Sequence, residues 1–127
     1  MKCKSFKAVF YILCLFFVTA CFDDNCGYPE KIIFDRDGGK KYTKGDAYDL
    51  CIYEGEELVA CENYDKKNVY DYSVSYEWLS AKIIFNAKKY SKMEIAVAPN
   101  ESGKRRELKL SFMVFDSGAD IKIIQNK

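Results

Sequence analysis

The sequence contains no histidine, and its six cysteines include no pair spaced as CxxC. Without histidine, the chain lacks imidazole for general acid–base chemistry, for Ser-His or Cys-His nucleophile pairs and for metal ligation. The cysteine spacing fits neither a thioredoxin-like redox motif nor a zinc site. We therefore expect a protein that is not an enzyme and that uses no cofactor or metal.

A strong charge of either sign is also missing. The 127 residues include 20 Lys or Arg and 19 Asp or Glu, which gives a formal net charge of +1. No basic block interrupts the body of the chain, so we expect no nucleic-acid partner. With 49% hydrophobic residues and two prolines, the chain is long enough for one globular domain and is not disordered in composition.

The N-terminus has the features of a targeting segment. Three lysines within the first seven residues precede an almost purely apolar run at 8–18, which Thr19 ends. A membrane-spanning helix needs about 20 apolar residues, so this run favours a cleaved signal peptide over residues 1–20. An uncleaved anchor helix is the alternative.

The residues at the end of this segment are Val18-Thr19-Ala20-Cys21, and they resemble the lipobox of bacterial lipoproteins. The resemblance implies that the Cys21 thiol receives a diacylglyceryl group, that cleavage occurs before Cys21 and that the new amino group is acylated. Such a protein is anchored to a membrane by lipid and does not span it. The alternative is a disulfide-forming Cys21 that follows an ordinary cleavage site.

Acidic residues follow the lipobox closely. Phe22, Asp23 and Asp24 are similar to the short acidic signals with which Bacteroidetes export lipoproteins to the cell surface. This resemblance implies an outer-membrane lipoprotein displayed on the surface, with the periplasmic face as the alternative. Loss of residues 1–20 removes three lysines and lowers the net charge from +1 to −2.

Short β-prone runs separated by polar turns fill the remainder of the chain. Turn-rich segments such as DRDGGKKY and PNESGKRR lie between them, and no helical period is sustained. This pattern predicts an antiparallel β-sandwich of about seven to eight strands. The predicted strands cover residues 30–34, 47–53, 58–61, 69–79, 82–86, 93–98, 107–115 and 120–125.

The run VYDYSVSYEWL at 69–79 alternates strictly between aromatic or aliphatic and polar residues. Period two predicts one half-buried strand. Because a sandwich buries one face of each strand, we expect the side that carries Tyr70, Tyr72, Val74, Tyr76 and Trp78 to pack in the core. The alternative is an exposed aromatic platform on which sugar rings stack.

Two cysteines flank the predicted turn Glu54-Gly55-Glu56-Glu57. A hairpin centred on Glu56 places Cys51 opposite Cys61, at a separation that a disulfide can bridge only in a non-hydrogen-bonded pair. A shift of one residue in register would prevent the bond. Cys26 lies outside this hairpin, and we expect it to be exposed and open to alkylation.

The C-terminal third, from Met93 to Lys127, resembles a BACON domain. That family ends with a strand, an Asn-containing turn, an Arg, a hairpin and a closing Gln, and Asn100, Arg106 and Gln125 occupy these places. The turn at 34–39 and the pair Trp78-Leu79 are also similar. The resemblance implies an immunoglobulin-like sandwich over residues 30–127, preceded by a lipidated leader at 21–29.

The remaining site predictions are modest. Asp35, Asp37, Gly38 and Gly39 lack the other ligands of a calcium loop, so we expect a turn and no metal. Arg106 is expected to hold a turn by hydrogen bonds, and Arg105 to be solvated. The residues that could contact a glycan are Tyr42, Tyr64, Tyr90 and Trp78.

Two functions fit these observations. The first is a non-catalytic envelope lipoprotein whose BACON-like module is accessory to carbohydrate binding. The second is a structural or protein-interaction component of a cell-envelope complex that has no small-molecule ligand. An exposed cluster of aromatic residues would favour the first function, and a polar surface with one free sheet edge would favour the second.

Overall fold

Nine strands form two packed sheets in the computed structural model, which describes residues 25–62, 72–85 and 91–127. In chain order the strands are β1 (Lys31–Phe34), β2 (Gly39–Lys44), β3 (Tyr48–Glu54), β4 (Glu57–Cys61), β5 (Ser73–Tyr76), β6 (Leu79–Phe85), β7 (Ser91–Val97), β8 (Arg106–Val114) and β9 (Ser117–Gln125). One sheet has the order β1-β9-β8-β3-β4, and the other has the order β2-β7-β6-β5. The predicted all-β sandwich is confirmed.

The core lies between the two sheets, because each strand directs alternate side chains inward. In β8, Leu108, Leu110, Phe112 and Val114 are buried, and the residues between them are more accessible. The inner side chains of β3, β7 and β9 meet this row. Among the described residues no helix is long and apolar enough to cross a membrane.

The strand order is of the immunoglobulin type. Strands β2, β7 and β6 take the places of B, E and D, while β3, β8 and β9 take those of C, F and G, and β4 extends the second sheet as C′ does. One pair departs from the predicted antiparallel arrangement, because β1 lies parallel to β9, with Lys31 opposite Lys122 and Phe34 opposite Gln125.

Strand β2 was not predicted, because the predicted turn DRDGGKKY covers residues 35–42. The side chains of β2 are almost all exposed, so the run shows no apolar alternation, yet it pairs with β7 from Gly39 opposite Val97 to Lys44 opposite Lys92. The turn is confirmed only for 35–38. There the Asp37 amide donates to Asp35 Oδ1 at 3.0 Å, and a Cβ on Gly38 would lie 2.2 Å from the Val97 carbonyl oxygen.

The predicted strand at 69–79 is shorter than expected. Strand β5 ends at Tyr76, Glu77 adopts φ +53°, and Leu79 already belongs to β6 and pairs with Tyr76. The aromatic–polar alternation of the sequence therefore runs on through the turn at Glu77 and Trp78, and the pattern alone does not show that a turn is there. Val74 is fully buried, and Tyr72, Tyr76 and Trp78 are half-buried against the core; Val69, Tyr70 and Asp71 lie outside the described residues.

The β3–β4 hairpin carries a disulfide between Cys51 and Cys61. Its turn is Gly55-Glu56, because Glu54 pairs with Glu57 and Tyr53 with Leu58. A regular ladder from this turn would place Cys51 opposite Ala60. A bulge leaves Val59 as the extra residue, so that Ile52 pairs with Ala60 and Cys51 with Cys61. The predicted pair thus forms from a turn half a residue away from the predicted centre.

The segment before β1 belongs to the folded unit, in contrast to the predicted leader at 21–29. Cys26 and Tyr28 are buried in the core. The Tyr28 ring meets Phe112 edge-on at 4.7 Å, and its hydroxyl donates to Asp46 at 2.5 Å. Burial, followed by this hydrogen bond, raises the pKa of Tyr28 far above its ordinary value.

The prediction that Cys26 is exposed and alkylatable is therefore wrong. Its side chain is 1% exposed, and its sulfur is disulfide-bonded. The other two described cysteines, Cys51 and Cys61, are bonded to each other.

We predict that Tyr28 is a structural part of the sandwich. Tyr28→Ala should lower the free energy of unfolding by about 3–5 kcal/mol, because it leaves a cavity beside Phe112. The control Tyr28→Phe keeps the ring and should cost only about 0.5–1.5 kcal/mol for the lost hydrogen bond. Urea unfolding at neutral pH measures both values. If Tyr28→Ala unfolds like the parent protein, residues 25–29 act as the leader that the sequence predicts.

Candidate functional site

The outward side of the four-stranded sheet carries a cluster of charged residues around one tyrosine. Register places Tyr42 of β2 opposite Glu94 of β7, and Glu94 opposite Lys82 of β6. Lys40 and Lys92 project from the same side of β2 and β7. We call this surface the Tyr42 face, and it consists of Lys40, Tyr42, Lys82, Lys92 and Glu94.

Glu94 contacts three of the other side chains of the Tyr42 face. Its side chain is only 11% exposed, and its two oxygens lie 3.9 Å from Lys40 Nζ and 3.7 Å from Lys82 Nζ. The Tyr42 hydroxyl donates to Glu94 Oε1 at 3.2 Å, and this hydrogen bond is the main reason why the pKa of Tyr42 is raised. One carboxylate thus positions two ammonium groups and one phenol.

The Tyr42 ring itself is accessible. Half of the residue is exposed, and Lys92 Nζ lies 4.5 Å from the ring centroid. The surface therefore combines an aromatic ring with three ammonium groups and a single carboxylate. This is an excess of positive charge on a chain whose predicted mature charge is −2.

The outward side of the five-stranded sheet differs from this arrangement. There Glu107 faces Lys122 at 3.9 Å, and the Ser111 hydroxyl donates to Asp120 at 2.8 Å, so opposite charges and polar partners balance. Tyr53 lies under Lys109, with 5.1 Å from Nζ to the ring centroid. Within the described part of the chain no carboxylate accepts a hydrogen bond from Tyr53 as Glu94 does from Tyr42, so this second tyrosine–lysine pair offers a control.

A second polar assembly lies at the end of the sandwich where β9 ends, which we call the Gln125 pole. Gln125 is fully buried, and its amide donates to the carbonyl oxygens of Asp35, Arg36 and Ala98 at 3.1, 3.3 and 2.9 Å. It accepts a hydrogen bond from Arg106 Nε at 2.8 Å. These contacts join the β1–β2 turn to the segment after β7.

Arg106 also covers the single tryptophan. Its guanidinium lies 4.6 Å from the Trp78 ring centroid, and its Nη2 donates to the carbonyl oxygens of Ala98 and Pro99 at 3.4 and 3.2 Å. Burial lowers the pKa of Arg106, and the charge of Glu77 partly opposes this effect. The expected turn-holding role of Arg106 is thus confirmed, and Trp78 serves as its support.

Asn100 completes the Gln125 pole. Its amide donates to the carbonyl oxygens of Lys104 and Asn126 at 2.7 and 2.9 Å, and its oxygen accepts from the Ser102 amide at 3.0 Å. Asn100, Arg106 and Gln125 therefore meet at one end of the fold. Beside them an open depression is lined by Gly103, Lys104, Arg105, Asn126 and Lys127.

The structure separates the predicted glycan contacts. Tyr42 lies on the outer side of a sheet, whereas Trp78 lies in the β5–β6 turn under Arg106. Tyr64 and Tyr90 lie outside the described residues, as do Cys21, Asp23 and Asp24. In the described ranges no three His, Cys, Asp or Glu side chains come together as metal ligands.

Sequence reasoning missed Lys40, Lys82 and Lys92 as companions of Tyr42. The signal that could have revealed them is the alternation of Lys40, Tyr42 and Lys44 in a segment that resembles a turn in composition. The lysines of β6 and β7 join them only through sheet register, which single-strand patterns do not carry.

Comparison with known proteins supports the fold alone. No protein-family model matches the sequence, and no curated protein matches it either. Among solved structures, the chain is similar to one titled "NMR structure of the protein from Bacteroides thetaiotaomicron", at 15% sequence identity and a TM-score of 0.56. The match covers 76% of this chain and 75% of that chain, so the chain shares a β-sandwich with that protein.

We predict stability effects of different size at the two described aromatic candidates. Trp78→Ala should lower the free energy of unfolding by about 2–3 kcal/mol, less than the roughly 3–5 kcal/mol typical of a fully buried aromatic residue. Tyr42→Ala should change it by less than about 1 kcal/mol, because the ring is half exposed. Thermal unfolding of both variants tests this. Equal melting curves for the parent and Trp78→Ala would exclude Trp78 from the core.

Proposed function

We propose that the protein is a lipid-anchored, non-catalytic envelope module, similar to BACON domains, that binds an anionic glycan through the Tyr42 face. The observation that carries this proposal is the half-exposed Tyr42 ring, which shares one outward sheet surface with Lys92 against the ring and with Lys40 and Lys82 beside Glu94. Polysaccharides that carry carboxylate or sulfate groups offer both apolar sugar faces and anions, and this surface presents a partner for each.

The aromatic ring provides the sugar contact. Tyrosine supplies a rigid, amphipathic surface at low conformational cost. Its hydroxyl is held by Glu94, so the ring does not have to be ordered when a sugar ring stacks on it. This preorganisation reduces the entropy that binding must overcome.

The lysines provide the charge complement. Lys40 and Lys82 keep more than half of their side-chain surface exposed while they contact Glu94. Lys92 lies against the Tyr42 ring, an exposed cation–π contact worth about 0.5–1 kcal/mol. A glycan can displace this ammonium from the ring and pair with it through a carboxylate or sulfate. The exchange replaces the Lys92–Tyr42 contact with two contacts to the glycan, one from the ring to a sugar face and one from the ammonium group to an anion.

Strand addition by a partner protein, one form of the alternative function, has less support. The free edges carry features that oppose pairing with another strand. Lys41 Nζ donates to the Ile33 carbonyl oxygen at 2.7 Å on β1, β2 is lined by exposed lysines, and β4 contains the bulge at Val59. The fourth edge strand, β5, is only four residues long. The described aromatic and charged surface fits a ligand better than the edges fit a strand.

We predict selective retention of acidic polysaccharides. Polygalacturonate and chondroitin sulfate should bind, and neutral dextran should not. Tyr42→Ala should weaken binding about tenfold, equivalent to roughly 1.4 kcal/mol. Lys40→Gln combined with Lys82→Gln should weaken it further and reduce its salt dependence, because exposed ion pairs are screened. Affinity electrophoresis at two salt concentrations measures both effects.

Two control variants identify the surface. Tyr53→Ala removes the matched tyrosine–lysine pair of the other sheet and should leave binding unchanged. Lys104→Gln with Arg105→Gln removes the same amount of charge from the basic depression at the Gln125 pole. Loss of binding in this second control, with normal binding by the Tyr42→Ala variant, would refute the Tyr42 face as the site. Binding of no acidic polysaccharide would favour the protein-interaction function.

We also predict a lipid anchor at Cys21. Labelled palmitate should enter the protein in its host, and Cys21→Ser should release it from the membrane fraction. After cleavage before Cys21, and with Cys51 and Cys61 bonded to each other, Cys21 is the cysteine of the mature chain that remains to pair with Cys26, and a sulfur that carries a thioether-linked lipid cannot form that bond. The disulfide at Cys26 is thus the observation that opposes the anchor, and peptide mapping without reduction is an independent test. A Cys21–Cys26 disulfide in the mature protein, with no label incorporated, would contradict the anchor and favour an ordinary secreted protein.

The same proposal places the protein at the outer membrane, on the cell surface, by way of Asp23 and Asp24. The support is their position directly after Cys21 and Phe22. Display on the surface would bring the Tyr42 face into contact with extracellular polysaccharide, which is the setting that the binding proposal requires.

A further inference from the structure

The tip of the β8–β9 hairpin carries a large apolar side chain in an unfavourable place. Phe115 is 75% exposed, and its φ is +57°. The turn is Phe115-Asp116, because Val114 pairs with Ser117. A positive φ at this position favours glycine, and Gly55 fills the same position of the β3–β4 turn with φ +64°. Nothing in the fold requires phenylalanine here.

Strain and exposure at one residue suggest a role outside the folded domain. The residue forgoes burial and adopts a conformation that glycine would adopt without strain. The equivalent position of the β5–β6 turn holds Glu77, with φ +53°, which water solvates. Phe115 is the exception among these three turns, because removing its apolar side chain from water would be favourable in free energy.

Phe115 does not stand alone. The hydroxyl of Tyr48, itself 39% exposed, donates to the Phe115 carbonyl oxygen. Phe85, 58% exposed, ends β6 and pairs with Ser91, whose hydroxyl donates to the Gly45 carbonyl oxygen at 2.8 Å. Because Gly45 lies three residues before Tyr48, these side chains belong to one end of the sandwich. We call it the N-terminal pole.

The chain enters the fold at this same pole. The Asn25 side-chain amide donates to the Asp120 carbonyl oxygen at 2.6 Å, and the Asp120 amide donates back to Asn25 Oδ1 at 3.2 Å. Tyr28, three residues on, packs against Phe112. The entry point is therefore fixed against the β8–β9 hairpin that carries Phe115.

The length of the leader matches the length of the hairpin tip. Cys21 lies four residues before Asn25, a span of at most about 14 Å at 3.3–3.6 Å per residue. From Asp120 the hairpin runs five residues to Phe115, about 16–17 Å at the rise of a strand. Even a fully extended leader therefore brings Cys21 no further out than Phe115, so the lipid cannot hold the hairpin tip far from the membrane.

We propose that the N-terminal pole rests on the bilayer, with Phe115 inserted into the interfacial region as a second contact beside the lipid. The occupant of this surface is a lipid bilayer, and the inference rests on the proposed lipid anchor. Among the described residues of this pole charge contributes little, since Lys44 pairs with Asp46 at 3.8 Å and Asp116 adjoins Phe115. The contact is apolar, and aromatic side chains with a polar companion are typical of the membrane interface.

The consequence is a defined orientation. Acyl chains on Cys21 are enough to hold the protein on the membrane, so Phe115 adds little to retention. Its role is to set which way the sandwich faces. With the N-terminal pole on the bilayer, the Gln125 pole points away and the Tyr42 face stands upright beside the membrane, open to polysaccharide.

The test uses the purified lipidated full-length protein in vesicles of phosphatidylethanolamine and phosphatidylglycerol. Phe115→Trp introduces a fluorescent reporter, and the native Trp78 under Arg106 provides a constant background. Lipids brominated near the top of the acyl chain should quench most of the added emission, and the quenching should be insensitive to salt. The matched control Leu58→Trp, at an exposed position of β4, should not be quenched.

A second variant separates insertion from folding. Phe115→Gly relieves the positive φ and should melt at or above the temperature of the parent protein, while protease gains access to the N-terminal pole on vesicles. Equal quenching of the two tryptophan variants would overturn the inference, even if the protein floats with the vesicles. Protein that does not float with vesicles would overturn the lipid anchor and this inference together.

Discussion

The relative position of the two sheets depends on the hydrogen bonds of the Gln125 side-chain amide. This amide is fully buried, and its hydrogen bonds reach the β1–β2 turn, the segment after β7 and the first residue of β8. A buried amide is stable only when its donors and acceptor are satisfied. All of these partners must therefore be in place together, and this requirement fixes how the ends of both sheets meet.

The same requirement explains why Arg106 and Trp78 are placed as they are. A guanidinium that donates to Gln125 must be held in one plane, and the Trp78 ring beneath it provides that plane. The tryptophan thus acts within the polar assembly of the Gln125 pole. Of the two described residues proposed to contact a glycan, Tyr42 is the exposed one, and it lies on a surface where Glu94 positions two lysines.

The sequence predicted the fold class well because apolar alternation survives in β3, β8 and β9, whose inner side chains belong to the core. The strand prediction failed for β2, where nearly every side chain is solvated. It also failed at Glu77, where the chain turns although the aromatic–polar alternation of the sequence continues. The leader was misassigned because Cys26 and Tyr28 are isolated apolar residues in a polar stretch, and only tertiary contacts with Phe112 and Asp46 reveal their burial.

The candidate site was predictable to a smaller extent. Tyr42 was a candidate from its residue type, whereas its lysine partners come from three strands and meet only through register. The pair Cys51–Cys61 was predicted from the symmetric placement of the two cysteines about Glu56. The turn is centred half a residue before Glu56, and the bulge at Val59 shifts the register so that the two cysteines still pair. Bulges depend on local twist and pairing, which composition does not encode.

The parallel pairing of β1 with β9 has a mechanical consequence. A tether that pulls on the chain before Asn25 transmits its load through the Asn25–Asp120 bonds and the buried Tyr28 into β1. Since β1 and β9 run in the same direction, a force along β1 loads their hydrogen bonds in shear, all at once. An antiparallel hairpin pulled at its open end would instead yield one bond at a time. The first strand is therefore joined to the fold in the geometry that best resists tension from an anchored end.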